Sequence, residues 1–228
     1  MRPKLILLIM AVFYVTAHAQ QPQSAEKSDG QRAVVNDDGG RAFVIGRDSK
    51  GLIVPSNHAG PVISEPQQYS IFLGSGWARR ELRAREPELS NLLANVRDQA
   101  TLRALDEYGT KNLFGATFSQ ERENGLKGNR DISDLQIQAV LGGMLNDGTL
   151  PKPNANMIYV IFLDPNLHST LGSLIAGKHY AAYHNFFNAS GTRLHYVVVP
   201  FEANQKTGCQ IALRAFLAAA FNPNGAGS

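Results

Sequence analysis

The sequence has a single cysteine, Cys209, among its 228 residues. One cysteine excludes an intramolecular disulfide, so a hydrophobic core has to hold the fold together. Unpaired cysteine is among the residue types most often buried in proteins. We therefore expect Cys209 to be a packed apolar thiol; an intermolecular bridge or a reactive thiol is the alternative.

Long hydrophobic runs are also missing. The apolar run Leu5–Val15 spans 11 residues, whereas about 20 are needed to cross a bilayer. Arg2 and Lys4 make a basic start before this run, and Ala17-His18-Ala19 follows it as a small-x-small cleavage pattern. The arrangement predicts a signal peptide over residues 1–19, no membrane span, and a secreted protein that is extracellular or periplasmic.

The chain lacks a marked excess of one charge. It has 22 Lys and Arg against 19 Asp and Glu. Cleavage after Ala19 would remove two basic residues, and 20 against 19 leaves a net charge of +1. No lysine and arginine cluster of the kind that binds nucleic acid occurs, so we do not expect a nucleic-acid partner.

Familiar catalytic motifs are absent as well. The glycine-rich pieces Gly74-Ser75-Gly76 and Gly142-Gly143 are not followed by Gly-Lys-Ser/Thr and do not complete G-x-G-x-x-G. There is no G-x-S-x-G nucleophile elbow. The sequence therefore gives no signature for a phosphate-binding loop or a serine hydrolase, and we assign neither a cofactor nor a catalytic residue.

The composition divides the remaining chain into two parts. Residues 20–60 are polar, which predicts a leader that is flexible over Gln20–Asp38. Within it, Ala42–Ile45 and Leu52–Val54 are two short apolar runs around a turn, which predicts a small hairpin. We place a single domain at residues 61–228.

Hydrophobic periodicity in that domain predicts an α/β fold with helices packed on a mixed sheet. The first predicted strand is Gln68–Leu73, and an amphipathic helix with Leu89, Leu92, Leu93 and Val96 on one face follows it; this helix continues or restarts and stops at Gly109. A second helix is capped by Ser133 and Gln136, and Met157–Leu163 is predicted to be a central buried strand. A hairpin around "NASG" and a last helix "CQIALRAFLAAAF", ended by Asn222-Pro223, complete the prediction.

Histidines in the stretch "GKHYAAYHNFF" are the first candidates for metal ligands. His179 and His184 are five positions apart, which puts them on opposite faces of a strand and about 140° apart on a helix. His184 and His195 form a better pair. They face each other if the hairpin turns at Ala189-Ser190 and are offset by one pair if it turns at Ser190-Gly191. With Asp164 as third ligand they would make a metal-dependent hydrolase; a packed histidine pair is the alternative.

Aromatic residues near the first predicted strand offer a different function. Trp77 and Tyr69 lie close to the strand end, where they would form a stacking platform for a carbohydrate. A single tryptophan beside a glycine-rich turn also fits a lid over the core. A carbohydrate-binding module is therefore a second alternative.

Three phrases together resemble a known family: "PVISEPQQYSIFLGSGW", "DISDLQIQAVLGGMLNDGTLPKPNANMIYVIFLDP" and "GKHYAAYHNFFNASGTRLHYVVVPF". They are similar to secreted proteins of the plant phosphate-induced (EXORDIUM-like) family and its bacterial relatives, over roughly Pro61 to Pro223. The resemblance implies a secreted α/β domain with zincin-like topology. In plants it implies a cell-wall or apoplastic protein linked to growth.

The same resemblance implies a degenerate final helix. Many bacterial relatives have Ser-His-Glu-x-x-Glu-Ala and then Thr-Asp-Pro after the hairpin. Here the segment is "LRAFLAAAFNP", with Arg214 in place of the histidine and Ala215 and Ala218 in place of the two glutamates. None of these residues can bind zinc or act as a general base. The match also implies a divergent, C-terminally shortened member in which Cys209 lacks the partner that relatives have.

The expectation from the sequence is therefore a secreted, non-enzymatic EXORDIUM-like protein of the cell envelope or extracellular space. Cell-wall polysaccharide is the expected partner. The metal-dependent hydrolase and the carbohydrate-binding module remain as the alternatives.

Overall fold

The computed structural model of the chain describes residues 31–35, 41–47, 61–93, 96, 99–107, 118–122, 130–189 and 191–224. Its strands are β1 (Gln31–Val35), β2 (Arg41–Ile45), β3 (Gln67–Leu73), β4 (Phe118–Arg122), β5 (Arg130–Ser133), β6 (Met157–Leu163), β7 (Leu167–Leu171), β8 (Leu174–Ile175), β9 (Ala182–Ala189) and β10 (Thr192–Val199). Its helices are a 3₁₀ helix (Ser75–Ala78), α1 (Arg80–Arg83), α2 (Glu86–Leu89), α3 (Gln99–Glu107), α4 (Asp134–Asn146) and α5 (Gln205–Phe221).

The strands form two mixed sheets. The large sheet has the order β1-β2-β9-β10-β6-β3-β4, and the small one has the order β5-β7-β8. Strands β10, β6, β3 and β4 are parallel to one another, whereas β9, β2 and β1 continue the large sheet with antiparallel pairs. The predicted mixed α/β architecture is confirmed.

Local sequence signals explain the best-predicted elements. The apolar run Met157–Leu163 forms β6, whose residues after Met157 are all buried between two parallel neighbours. The capping box is present at the start of α4, where Ser133 Oγ accepts from the Gln136 amide and Gln136 Oε1 accepts from the Ser133 amide. Both predictions are confirmed.

The N-terminal boundary of the domain differs from the prediction. Strand β2, within the predicted leader, pairs with β1 and also with β9, so both N-terminal strands belong to the large sheet. The predicted flexible segment therefore contains a strand, and a domain start at residue 61 is too late. The expected partner run Leu52–Val54 and the expected signal peptide lie outside the described residues.

The predicted amphipathic helix after β3 is interrupted. Helix α2 ends at Leu89, and α3 begins only at Gln99. Buried Gln68 explains the interruption, since its Nε2 donates to the Leu89 carbonyl at 2.8 Å and its Oε1 accepts from the Leu92 amide at 3.0 Å. These two bonds satisfy backbone groups that a continuous helix would pair internally. Gly109, the expected stop, lies outside the described residues.

Helices and the small sheet cover the two faces of the large sheet. One face packs against α5, which is itself covered by Leu82, Leu89, Leu92 and Leu105 from the α1–α3 segment. The other face packs against α4 and the small sheet. Every residue of Ala215–Phe221 is at most 3% exposed, so this end of α5 is buried around its whole circumference.

None of the helices in the described part of the chain is long and apolar enough to cross a bilayer.

Candidate functional site

The order of the parallel strands creates a switch point between β3 and β6. The chain leaves β3 toward β4 on one side, through segments that cover the α5 face of the sheet. It then returns to β6 on the other side of β3, after crossing the opposite face through α4. In open α/β sheets, the loops that follow two such strands generally diverge and leave a crevice where ligands bind.

Asp164 places its own carboxylate at the position where this rule puts the ligand. It directly follows β6 and is 1% exposed. Its Oδ2 accepts from the Gly76 amide at 2.5 Å, and its Oδ1 accepts from the Asn166 amide at 2.9 Å. The Asn166 side chain adds a longer contact of 3.5 Å from Nδ2 to Oδ2. The loop after β3 is thus bound to an acidic group that comes from the end of β6.

The two glycines of the loop are required by this contact. A Cβ atom at Gly74 would lie 2.5 Å from Asp164 Cγ, and one at Gly76 would lie 2.6 Å from Asp164 Oδ2. Gly74 also has a φ of 112°, a conformation that L-residues with side chains rarely adopt. The glycine-rich piece that fits no phosphate-binding motif is therefore shaped to receive a carboxylate of the same chain.

The structure separates Asp164 from the two histidines of the expected hydrolase site. The hairpin pairs His184 with Val197 and His195 with Phe186, so the histidines are diagonal neighbours on one face. His195 also pairs with Ile158 on β6, six residues before Asp164. At a rise of about 3.3 Å per residue, this separation is about 20 Å along the strand. Within the part of the chain described, no group of three His, Cys, Asp or Glu is placed to hold a metal.

The register selects one of the two turns that the sequence left open. Ala189 pairs with Thr192, so the connection occupies residues 190–191. Gly191 has a φ of 82°, as a two-residue hairpin turn requires. The histidines are consequently offset by one pair.

Both histidines of this pair are packed among aromatic rings. His184 is 1% exposed and stacks on Phe43 with ring centroids 5.1 Å apart. His195 lies 5.9 Å from the Phe186 ring. Burial, followed by the charge of His195, lowers the pKa of His184 to about 3. Burial and then the charge of Arg193 lower the pKa of His195 to about 4. Both imidazoles are therefore neutral at pH 7.

A second buried polar cluster lies on the opposite face of the sheet, and the sequence did not reveal it. Asp134, the first residue of α4, is 2% exposed. Its Oδ1 accepts from Tyr196 Oη at 2.7 Å, and its Oδ2 accepts from Asn185 Nδ2 and Gln138 Nε2, each at 2.9 Å. An acidic residue in a first helical turn is ordinarily explained by the helix dipole, so no local signal indicated these distant partners.

Two further tyrosines surround this carboxylate. Burial first, and the charge of Asp134 second, raise the pKa of Tyr183 and of Tyr196 well above the ordinary value. Tyr180 bonds Ser169 of β7 through a 2.9 Å contact between the two hydroxyl oxygens. Because β7 and the start of α4 belong to the small-sheet side, the cluster links the two sheets. Its phenols stay protonated at neutral pH, so the tyrosines offer hydrogen bonds and do not act as bases.

The expected aromatic platform is not assembled. Trp77 is 2% exposed, lies edge-on to Phe72 and donates from Nε1 to the Phe162 carbonyl at 3.0 Å. Tyr69 packs in the core on the other face of the sheet, where its ring lies 5.5 Å from that of Tyr159. The two side chains thus belong to separate core clusters and cannot stack on one sugar. Trp77 is a lid over the core.

The sequence also pointed to His179 as a metal-ligand candidate and to Cys209 as a packed or reactive thiol. His179 is exposed in a turn, where its Nδ1 accepts from the Ile175 amide at 2.9 Å. Cys209 is half-buried on α5, and burial followed by the charge of Glu88 raises the pKa of its thiol to about 11. The thiolate required of a nucleophile is therefore disfavoured at neutral pH.

Comparison with known proteins found no matching family model, no matching curated protein and no matching solved structure.

Proposed function

We propose that the chain is a secreted, non-enzymatic protein related to the EXORDIUM-like family, which binds cell-wall polysaccharide in the envelope or extracellular space. The observation that carries the non-enzymatic part is the engagement of its candidate acids and bases in the core. Asp164 is bound by backbone amides, and Asp134 by three side-chain donors. His184 and His195 are buried and neutral at pH 7. A general acid or base must instead reach a substrate.

The packing of α5 supports the same proposal. Ala215 and Ala218, which stand where the resemblance places the two glutamates, are both fully buried against the core. Arg214, in the histidine's place, is half-buried. The zincin-like topology implied by the resemblance belongs to this proposal, with α5 in the role of the degenerate helix. Small alanine side chains at these positions let α5 approach the sheet closely.

Co-sedimentation with insoluble cell-wall polysaccharides tests the binding part of the proposal. The folded protein should be retained in a saturable manner by at least one wall fraction, and thermally unfolded protein should lose that saturable retention. Equal retention before and after unfolding, or none by any fraction, would contradict the proposed binding. Release of soluble sugars or peptides from the fraction, in proportion to the protein added, would contradict the non-enzymatic part.

A further inference from the structure

The position between the ends of β3 and β6 where a ligand would bind is occupied by an acidic side chain of the same chain, Asp164. Asp164 presents both carboxylate oxygens to backbone amides, those of Gly76 and Asn166. Both residues that face the carboxylate are glycines, and a Cβ atom at either position would collide with it. These are properties of an oxyanion site, at the position where this strand order places ligand sites.

We propose that this crevice is a carboxylate-binding site that the chain occupies with Asp164, and that removing the side chain opens it to a small free carboxylate. The donors belong to the main chain, so they remain when residue 164 is substituted. Arg79 adds a positive charge beside the loop, since its Nε donates to the Gly76 carbonyl at 3.3 Å. The chemical class of ligand is a planar monocarboxylate of the size of formate or acetate.

The expected affinity is set by the size of the ligand. Formate has three non-hydrogen atoms, and the best small ligands reach a limit that corresponds to a Kd of about 1 mM at this size. At 100 mM, formate bound with that Kd would lower the unfolding equilibrium constant about 100-fold, which is the largest effect expected. The wild-type chain should not respond in this way because its own carboxylate already occupies the donors.

The experiment uses the full chain with Asp164→Gly and measures urea unfolding in sodium formate and in sodium chloride of equal concentration, up to 100 mM. We expect a saturable rise of the unfolding midpoint in formate alone. The matched control is Asp131→Gly, which removes the same group from a side chain that is 74% exposed. If formate stabilises Asp164→Gly no more than it stabilises the control and the wild type, the proposal is wrong.

A variant that fails to fold in chloride is still informative. In that case the recovery of near-ultraviolet circular dichroism with increasing formate replaces the urea midpoint as the readout, and no recovery overturns the proposal. Asp164→Asn supplies the second comparison, because its amide fills the same space without the negative charge. We expect no saturable formate response from it, whereas a response equal to that of Asp164→Gly would show binding elsewhere and contradict the assignment.

Discussion

Tyr196 donates a 2.7 Å hydrogen bond to Asp134, and this contact joins the large sheet to the helix that follows the first strand of the small sheet. Tyr196 lies within β10, whereas Asp134 starts α4 directly after β5. The acceptor is a buried carboxylate, and hydrogen bonds to charged groups contribute more to stability than neutral ones. The bond therefore stabilises the arrangement of both layers.

Tyr196→Phe should lower the free energy of unfolding by about 1.5–3 kcal/mol, because a charged acceptor loses a buried donor. The matched control is Tyr159→Phe, since Tyr159 Oη donates over the same 2.7 Å to the neutral carbonyl of Pro151. Its expected cost is about 1 kcal/mol. Urea denaturation measures both, and equal losses would contradict a special role for Asp134.

Acid should destabilise the fold through His184 and His195. Their folded pKa values of about 3 and about 4 lie below the ordinary value, so the unfolded chain takes up protons first as the pH falls. The stability that depends on their neutral forms is complete above about pH 7 and declines as the pH falls from about 6.5 toward 4. The urea midpoint measured between pH 7 and 4 should follow this direction.

Substituting the pair isolates its share of that pH dependence. The double variant His184→Phe with His195→Phe should show a smaller decline, because its rings cannot be protonated. His168→Gln is the control, since His168 is 48% exposed. A double variant that declines as steeply as the wild type would assign the effect to other groups.

Phe216→Ala should be among the most damaging single changes in α5. Phe216 is fully buried between the sheet and the helical segment above it, and truncating such a residue costs about 3–5 kcal/mol. Arg214→Ala on the same helix is the comparison, and we expect it to cost less than half as much because Arg214 is half-buried. The yield of folded protein and the urea midpoint should rank the two variants in this order.

Purified protein should carry no stoichiometric zinc, and a chelator should leave its melting temperature unchanged. The reason is the register, which places His184 beside His195 but leaves Asp164 about 20 Å from His195 and about 13 Å from His184 along the strands. A structural zinc ion would contribute strongly to folding, so its removal would be visible in thermal unfolding. One zinc per chain that disappears in His184→Ala would contradict this prediction.

Export should yield a protein that begins at Gln20. The basic start, the apolar run of 11 residues and the Ala-His-Ala pattern all predict cleavage after Ala19. N-terminal sequencing of the exported protein shows whether its first residue is Gln20. Exported protein that retains Met1 would contradict the predicted signal peptide.

The sequence predicted elements whose signals are local. The apolar run of β6 and the capping box of α4 lie within a few residues and both appear in the structure. The interruption after Leu89 depends on Gln68, which is 21 residues earlier in the chain, and no helical periodicity contains that information. Short strands such as β5 (Arg130–Ser133) gave no usable pattern, since a four-residue strand with one fully buried side chain resembles a loop.

The contacts of the candidate site could not be predicted from the sequence for the same reason. The sequence drew attention separately to the glycines at 74 and 76 and to Asp164, but their contact spans 88 residues. Asp134 likewise finds Asn185 and Tyr196 at separations of 51 and 62 residues. Hydrogen bonds between such distant positions follow from strand order, which the periodicity of one segment does not specify.

The pairing of β2 with β9 has a consequence for the order of events during synthesis. Phe43 lies opposite His184, so strand β2 has to wait for β9, which is made much later. Strand β6 likewise gains its second neighbour only when β10 is available. Closing such long loops is slow. A nascent chain that has not yet produced the β9–β10 hairpin therefore cannot complete the large sheet, because β2 and β6 each still lack a neighbour.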